Sequence, residues 1–414
     1  MQPISFFLVR SRFPFIFTSL NPDPAHGRYG EGALTAGVTR LLAGYMKNKK
    51  RYMKQYLLTG VLGACLAGAG CGNAAKEPGS KEQKDTTASA VQYLGEPLVK
   101  HIYTADPSAH VFNNRLYIYP SHDTATGTPE NDNGDHFNMM DYHILSMDSA
   151  GGKVTDHGIG LSIKDIPWAG RQLWAPDATF ANGKYYLYFP VKNKQNVFQI
   201  GVAVSDRPEG PFTAEPEAIK GSYSIDPCVF RDDDGSYYLY FGGIWGGQLQ
   251  RWNNNQYHPE AGNLKPGEVA VLPRMARLSK DMKQFAEPVK EIKILNDKGE
   301  LFHEKDNDKR FFEAPWMFKK DGKYYFTYST GDTHFINYAI GTSPYGPFTY
   351  KGVVVNPVQG WTNHQSIVEF KGKWYLFYHD IQLSGKTYLR NVKMTELHFN
   401  SDGSIQPVTT YTNR

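Results

Sequence analysis

Five short segments each place a titratable residue a few positions before an apolar run: Asp106 in ADPSAHVF, Asp177 in WAPDATF, Asp226 in IDPCVF, Glu313 in FEAPWMF and His364 in NHQSIVEF. Asp before a strand is ordinarily a turn residue, because its carboxylate bonds nearby backbone N–H groups. Glu and His are poor at that job, and turn chemistry does not explain a titratable group at every equivalent place. Carboxylates brought together repel and desolvate one another, which raises some of their pKa values. One can then serve as a proton donor while another stays ionised as a base. Two such groups across a pocket rimmed with aromatic rings are what hydrolysis of a glycosidic bond requires. Trp168, Trp174, Trp245, Trp316 and Trp361 lie near these segments and offer flat faces to a sugar.

The elements that must position these residues repeat. AHVFNNRLYIYP, ATFANGKYYLYFP, CVFRDDDGSYYLYFG, WMFKKDGKYYFTYS and SIVEFKGKWYLFYHD each read as strand, tight turn and aromatic strand. Their Asn-Asn, Asn-Gly, Asp-Gly and Lys-Gly pairs are hairpin turn signals. A second strand set follows each hairpin: DYHILSM, QIGVAVS, MARLSKD, NYAIGTS and NVKMTEL. Five units of about four strands predict an all-β fold, a five-bladed β-propeller, since one blade cannot bury its own faces and a closed ring can. Equivalent positions of the innermost strands then face one another around the central axis. The longest interval, between Tyr238 and Tyr325, predicts an insertion over about residues 242–310 on one face of the ring.

Composition agrees. Aromatics make up 14% of the 414 residues, with 40 Gly and 25 Pro, and the formal net charge is only +4. Aromatic and turn-residue richness favours β structure. No basic patch with interleaved aromatics points to nucleic acid. The three cysteines give no disulfide framework, because Cys65 and Cys71 lie in a leader and Cys228 reads as a small core residue.

That leader sets the domain organisation. Residues 1–45 form an upstream extension with no structural reading, and Met46 or Met53 is a candidate true start. Lys47, Lys49, Lys50, Arg51 and Lys54 precede a short apolar segment that ends at Cys71, so residues 46–71 read as a secretory signal. The signal resembles that of bacterial lipoproteins, which implies lipidation of Cys71, or of Cys65, and a chain held in the periplasm or at the outer membrane surface. Residues 72–94 are polar and read as a tether, and 95–414 as the propeller.

The propeller region resembles glycoside hydrolase family 43 over its whole length, carried by ADPSAHVF, WAPDATF, SIDPCVFRDDDG, FFEAPWMFKKDGKYYFTYSTGD and HQSIVEFKGKWYLFYHD in that order. These enzymes act on xylan and arabinan side chains and oligosaccharides. The resemblance implies an inverting mechanism with Asp106 as general base, Glu313 as general acid and Asp226 as the acid that holds Glu313 and raises its pKa by repulsion. It implies that Asp177 borders the sugar pocket and that Arg390, in YLRNVKM, lines it; Trp174, Trp316 and His364 are further candidates for substrate contact. No cofactor is needed for the chemistry. His364 has two readings, a hydrogen-bonded axial imidazole or a neighbour of a calcium ion in the central channel. The segments TADPSAHVF and FFEAPWMFKKDGKYYFTYSTGDTH look most like exo-acting members, which implies a β-xylosidase, with α-L-arabinofuranosidase next and endo-arabinanase less favoured. Two other classes compete: a glycan-binding propeller without catalysis, and a scaffold for protein partners, which leaves the axial acids unexplained.

Overall fold

A computed structural model describes residues 91–413 of the chain. The signal, Cys65, Cys71 and most of the tether lie outside the described residues. The described chain is all-β: five small sheets form the blades of a five-bladed propeller.

Each blade begins with one of the five hairpins. Tyr103–Phe112 pairs with Arg115–Asp123, Asp177–Ala181 with Lys184–Asn193, Cys228–Arg231 with Tyr237–Phe241, Glu313–Lys320 with Lys323–Ser329, and Gln365–Phe370 with Lys373–Asp380. Four of the turns use pairs with positive φ, Asn113-Asn114, Asn182-Gly183, Asp321-Gly322 and Lys371-Gly372. That geometry matches the twist of the strands it joins. The third strands are Asp141–Met147, Phe198–Ser205, Arg274–Arg277, Ile336–Gly341 and Asn391–Leu397, each starting within one residue of its counterpart in the second strand set read from sequence.

The blades are not identical. The fifth has three strands of its own, and the fourth adds Ile294–Leu295 in parallel to Phe348–Val355. In the second, the innermost strand is broken: Ala169–Leu173 and Asp177–Ala181 both pair with Lys184–Asn193, and Trp174 sits in the gap. The expected insertion is two segments, not one. Residues 242–273 interrupt the third blade and 292–312 join it to the fourth, while Arg274–Arg277 and Lys290–Glu291 between them complete the third blade.

Alternation explains the packing between blades. In Lys184–Asn193, Tyr185, Leu187, Phe189 and Val191 pack with first-blade residues, while Tyr186 and Tyr188 join the cluster shared with the third and fourth blades. In Arg115–Asp123, Tyr117 and Tyr119 face the second blade, and Leu116 and Ile118 face the fifth. A period of two with both phases apolar is what a strand between two neighbouring sheets must have.

Backbone bonds close the ring: Leu98 N–H donates to Val392 O at 2.9 Å and Thr104 N–H to Arg390 O at 2.9 Å. Val91–Tyr93 also pairs with Tyr411–Asn413. The folded region therefore takes in residues 91–94, which composition alone had assigned to the tether.

Candidate active site

The blade entries share a local distortion. Asp106, Asp226 and Ala314 each precede a proline and each has positive φ, at 48°, 56° and 57°. The pairing register shifts between Ala105 and Ser108 and between Glu313 and Trp316. A left-handed residue before proline is unfavourable, and such strain persists where the surroundings hold it. In the fourth blade Ala314 occupies the conformational place of the two aspartates, and Glu313 comes one residue earlier.

These bulges bring the acids to one cleft. Asp106, Asp226, Glu313, His364 and Arg390 line a cavity of about 230 Å³ together with Trp174, Trp245 and Trp361. Arg390 is the organising cation. Its Nε and Nη2 donate to the two oxygens of Asp123 at 2.9 and 2.8 Å, and its Nη1 donates to Asp106 Oδ1 at 2.9 Å. A planar fork fixed by one carboxylate presents its remaining N–H to the second in a set direction. Ser121 Oγ donates to Asp106 Oδ2 at 2.8 Å. His379 accepts the Asp106 backbone N–H on Nδ1 at 3.0 Å, and its Nε2 faces the Thr362 carbonyl at 3.0 Å, which sets the tautomer.

The two outer acids are held in opposite states. Burial pushes the Asp106 carboxyl up, but Arg390, the His379 and His364 rings and the Ser121 hydroxyl outweigh it and hold it at about 2. Burial and then the negative charge of Asp106 push Glu313 up to about 8, against the pull of Arg390. Burial, Glu313 and Asp106 push Asp226 well above the carboxylate range, although the Ala314 N–H donates to its Oδ2 at 3.0 Å. Repulsion between Asp226 and Glu313 is mutual, so the expected effect of Asp226 on Glu313 acts together with the charge of Asp106. Burial chiefly lowers both histidines, His364 to about 4 and His379 to about 3, so they are neutral at neutral pH and add their charge to the pull on Asp106 only in the acid range where it titrates.

His364 Nδ1 lies 3.7 Å from Asp106 Oδ1 and 3.8 Å from Asp226 Oδ2. For calcium, which takes six to eight oxygens, this donor set fits poorly. It offers one imidazole and two carboxylates, one of them favouring its proton.

Three residues expected near the pocket, Asp177, Trp316 and Trp168, lie elsewhere. Asp177 is fully buried, and its carboxylate accepts from Ser108 Oγ, from Ala178 N–H at 2.8 Å and from Val229 N–H at 2.5 Å, with His110 Nε2 at 2.6 Å. It follows its proline where Asp106 and Asp226 precede theirs, so it joins the blades instead of facing the cleft. Trp316 is a core residue whose Nε1 donates to Ile367 O at 2.9 Å, and Trp168 stacks on Phe189. Trp174, with Nε1 donating to Phe137 O at 2.9 Å, does line the cleft, as do Trp245 and Trp361, whose centroids are 5.6 Å apart.

Other contributors were not read from the sequence. Asp123 and Thr362 hold Arg390, and Ser121 and His379 hold Asp106. The loop after Arg115–Asp123 supplies Glu130, Asn131, Asp132, His136 and Phe137 to the wall. Its length was the available signal, because long loops in compact folds are often functional. This loop meets the insertion of the third blade: a Cβ on Gly246 would stand 2.8 Å from the Asn133 carbonyl oxygen, so the two wall segments close only over glycine.

The model of the family described as Glycosyl hydrolases family 43 matches residues 99–405. The chain is 60% identical over 319 residues to xylosidase/arabinosidase 43A of Humicola insolens, covering 75% of this chain and 98% of that protein. It is 58% identical over 311 residues to a xylosidase/arabinosidase of Bacteroides ovatus, with 74% and 95% covered. Among solved structures it resembles CoXyl43, a GH43 β-xylosidase/α-arabinofuranosidase from a compost microbial metagenome, in complex with xylotriose and in calcium-free form. That likeness has a TM-score of 0.75 at 63% identity and covers 77% of this chain and 99% of the other. A GH43_1 enzyme from Xanthomonas citri complexed with xylotriose matches with a TM-score of 0.74 at 54% identity, covering 77% and 94%.

Proposed function

The chain belongs to glycosyl hydrolases family 43 and is a glycosidase, and we propose that it removes terminal β-D-xylose from xylo-oligosaccharides with inversion. The observation that carries this reading is the pairing of an ionised Asp106 with a protonated Glu313 in one walled cleft. Glu313 donates its proton to the glycosidic oxygen as the bond to the anomeric carbon breaks. Asp106 draws a proton from the water that attacks that carbon from the opposite face. Arg390 keeps Asp106 ionised and aimed, and Asp226 positions the Ala314 backbone next to the acid. A cavity of about 230 Å³ is below the range of about 300–1,000 Å³ common for drug-sized ligands. It suits one pentose ring better than a chain running through, which favours exo action. Relatives named for both xylosidase and arabinosidase activity, and solved relatives holding xylotriose, support the substrate class.

The test is a panel of aryl β-xyloside, aryl α-L-arabinofuranoside, xylobiose and linear arabinan, with NMR of the first sugar released. Release of α-xylose from the β-xyloside is the expected result; β-xylose means retention and defeats the inverting mechanism. Faster turnover of the arabinofuranoside makes arabinofuranosidase the main activity, and turnover of none favours a binding protein. Glu313→Ala is expected to lose about 10²–10⁴-fold on xylobiose and much less on an aryl xyloside, whose leaving group needs no proton.

The basic run and apolar segment before Cys71 support a second proposal, export and lipid anchoring through Cys71 or Cys65. Radiolabelled palmitate incorporated by expressing cells, and lost on Cys71→Ser or Cys65→Ser, is the expected outcome.

A further inference from the structure

The first blade carries a second cluster of ligand-bearing side chains, on the reverse of the strand that serves the cleft. In Arg115–Asp123, Ser121 and Asp123 face Asp106 and Arg390, while His122 points the other way. Its partners stand at the start of Asp141–Met147. His122 Nδ1 lies 2.7 Å from Asp141 Oδ1, and His143 Nε2 lies 4.0 Å from the same oxygen. One ligand atom from each of the three lies within 4.8 Å of the other two. The side chains are 16–18% exposed, so the cluster is sheltered and still reachable from solvent.

From this juxtaposition we propose that His122, Asp141 and His143 form a binding site for a divalent ion of the zinc class. Two imidazoles and one carboxylate, with water in the fourth place, are a zinc-type donor set. Calcium and magnesium prefer oxygen alone. Closing a tetrahedron around zinc needs ligand edges of about 3.3 Å. The His122–Asp141 contact opens slightly to reach that, and the His143–Asp141 contact closes.

An independent feature already prepares His143. Its Nδ1 is 3.0 Å from Asp156 Oδ1, and Asp156 is itself fixed by the Gly158 N–H at 2.8 Å and by His101 Nε2 at 2.7 Å. A carboxylate on Nδ1 holds the proton there and leaves the Nε2 lone pair free to bind, the outer-shell arrangement usual behind a metal-bound histidine. The location also gives the ion structural work. The ladder between the two strands ends at the pair Ile118–Leu145, short of His122 and Asp141. An ion there would clip together the strand ends that lie beyond the last rung of that ladder.

The test is titration of zinc chloride into the purified, tag-free chain after treatment with chelator and dialysis. One saturable site and a higher melting temperature with zinc are expected. His143→Ala is expected to weaken binding by at least the roughly 10–100-fold that loss of an outer-shell partner costs, and Asp156→Asn by an amount within that range. His364→Ala should leave zinc affinity unchanged, which separates this site from the central channel. No saturable binding, or binding that survives His143→Ala, overturns the proposal. Should His143→Ala fold poorly, anomalous diffraction at the zinc edge decides on the unaltered chain. A peak among the three side chains supports the site, and a peak elsewhere or none overturns it.

Discussion

Asp106 and Glu313 are both carboxylic acids, and their surroundings hold one ionised and favour the proton on the other. The pH dependence follows from that split. The proposed mechanism needs Glu313 protonated, so kcat/KM is expected to fall as pH rises through about 8, with an acid limb set by Asp106 at about 2. Arg390→Lys keeps the charge but loses the fork, so the acid limb should move upward while kcat falls by roughly a hundredfold from misplacement of the base. Stability carries the opposite mark of the same chemistry. The folded pKa of Glu313 lies above its ordinary value, so its favourable contribution is complete below about 4.5 and lost as pH rises to about 8. Glu313→Gln should therefore melt above the parent protein at pH 8, with a smaller gap at pH 4. A gap that stays constant between these two melts would defeat the assignment. The acids themselves were legible because a titratable residue recurs a few positions before the apolar run that opens each blade. Asp177 misled because a shift of one side of its proline turns a carboxylate from cleft to core. Asp123 was not legible, since its meaning lies in a contact with Arg390 that spans 267 residues of chain.

At the scale of elements, the hairpins were readable because turn chemistry is local. Positive φ at two adjacent positions favours Asn, Asp or Gly, and four of the turns meet it with Asn-Asn, Asn-Gly, Asp-Gly and Lys-Gly pairs, while the fifth is a longer turn over Asp232–Ser236. Gly322 has φ near +72° and open space where a Cβ would go, so Gly322→Ala tests backbone strain alone. It is expected to cost about 1 kcal/mol in urea denaturation and to leave kcat unchanged. The wall loops were harder to read, because their positions depend on contacts with one another and not on any period. Trp245, placed by the third-blade insertion, packs at 5.3 Å from Phe312 and 5.6 Å from Trp361. Trp245→Ala removes a wall and not a reacting group. KM for xylobiose should rise about tenfold with kcat little changed, the pattern of lost uniform binding.

A propeller is stable only as a closed ring, and here the closure and the active site share a strand. Asn391–Leu397 follows directly on Arg390, whose backbone carbonyl accepts from Thr104 N–H. The same strand carries Lys393, fully buried and paired at 2.6 Å with Asp380 on Lys373–Asp380. Its Nζ also lies 4.7 Å from the Tyr93 ring, on the strand that pairs with Tyr411–Asn413. Asp380 is held further by Asn391 Nδ2 at 2.7 Å and the Gln382 N–H at 3.1 Å. A buried pair of this kind contributes little net stability relative to a well-packed apolar pair, but breaking it strands a charge away from water. Lys393→Met is therefore expected to cost about 3–5 kcal/mol, measured by urea denaturation. Combining it with Asp380→Leu should recover much of that loss. If the double variant were no more stable than the single one, the cost would lie in the Lys393 stem or the Tyr93 contact and not in the stranded carboxylate. Because Arg390 is three residues from Lys393, the single variant should also lower kcat before the melting transition, through loosening of the strand that holds the guanidinium against Asp106.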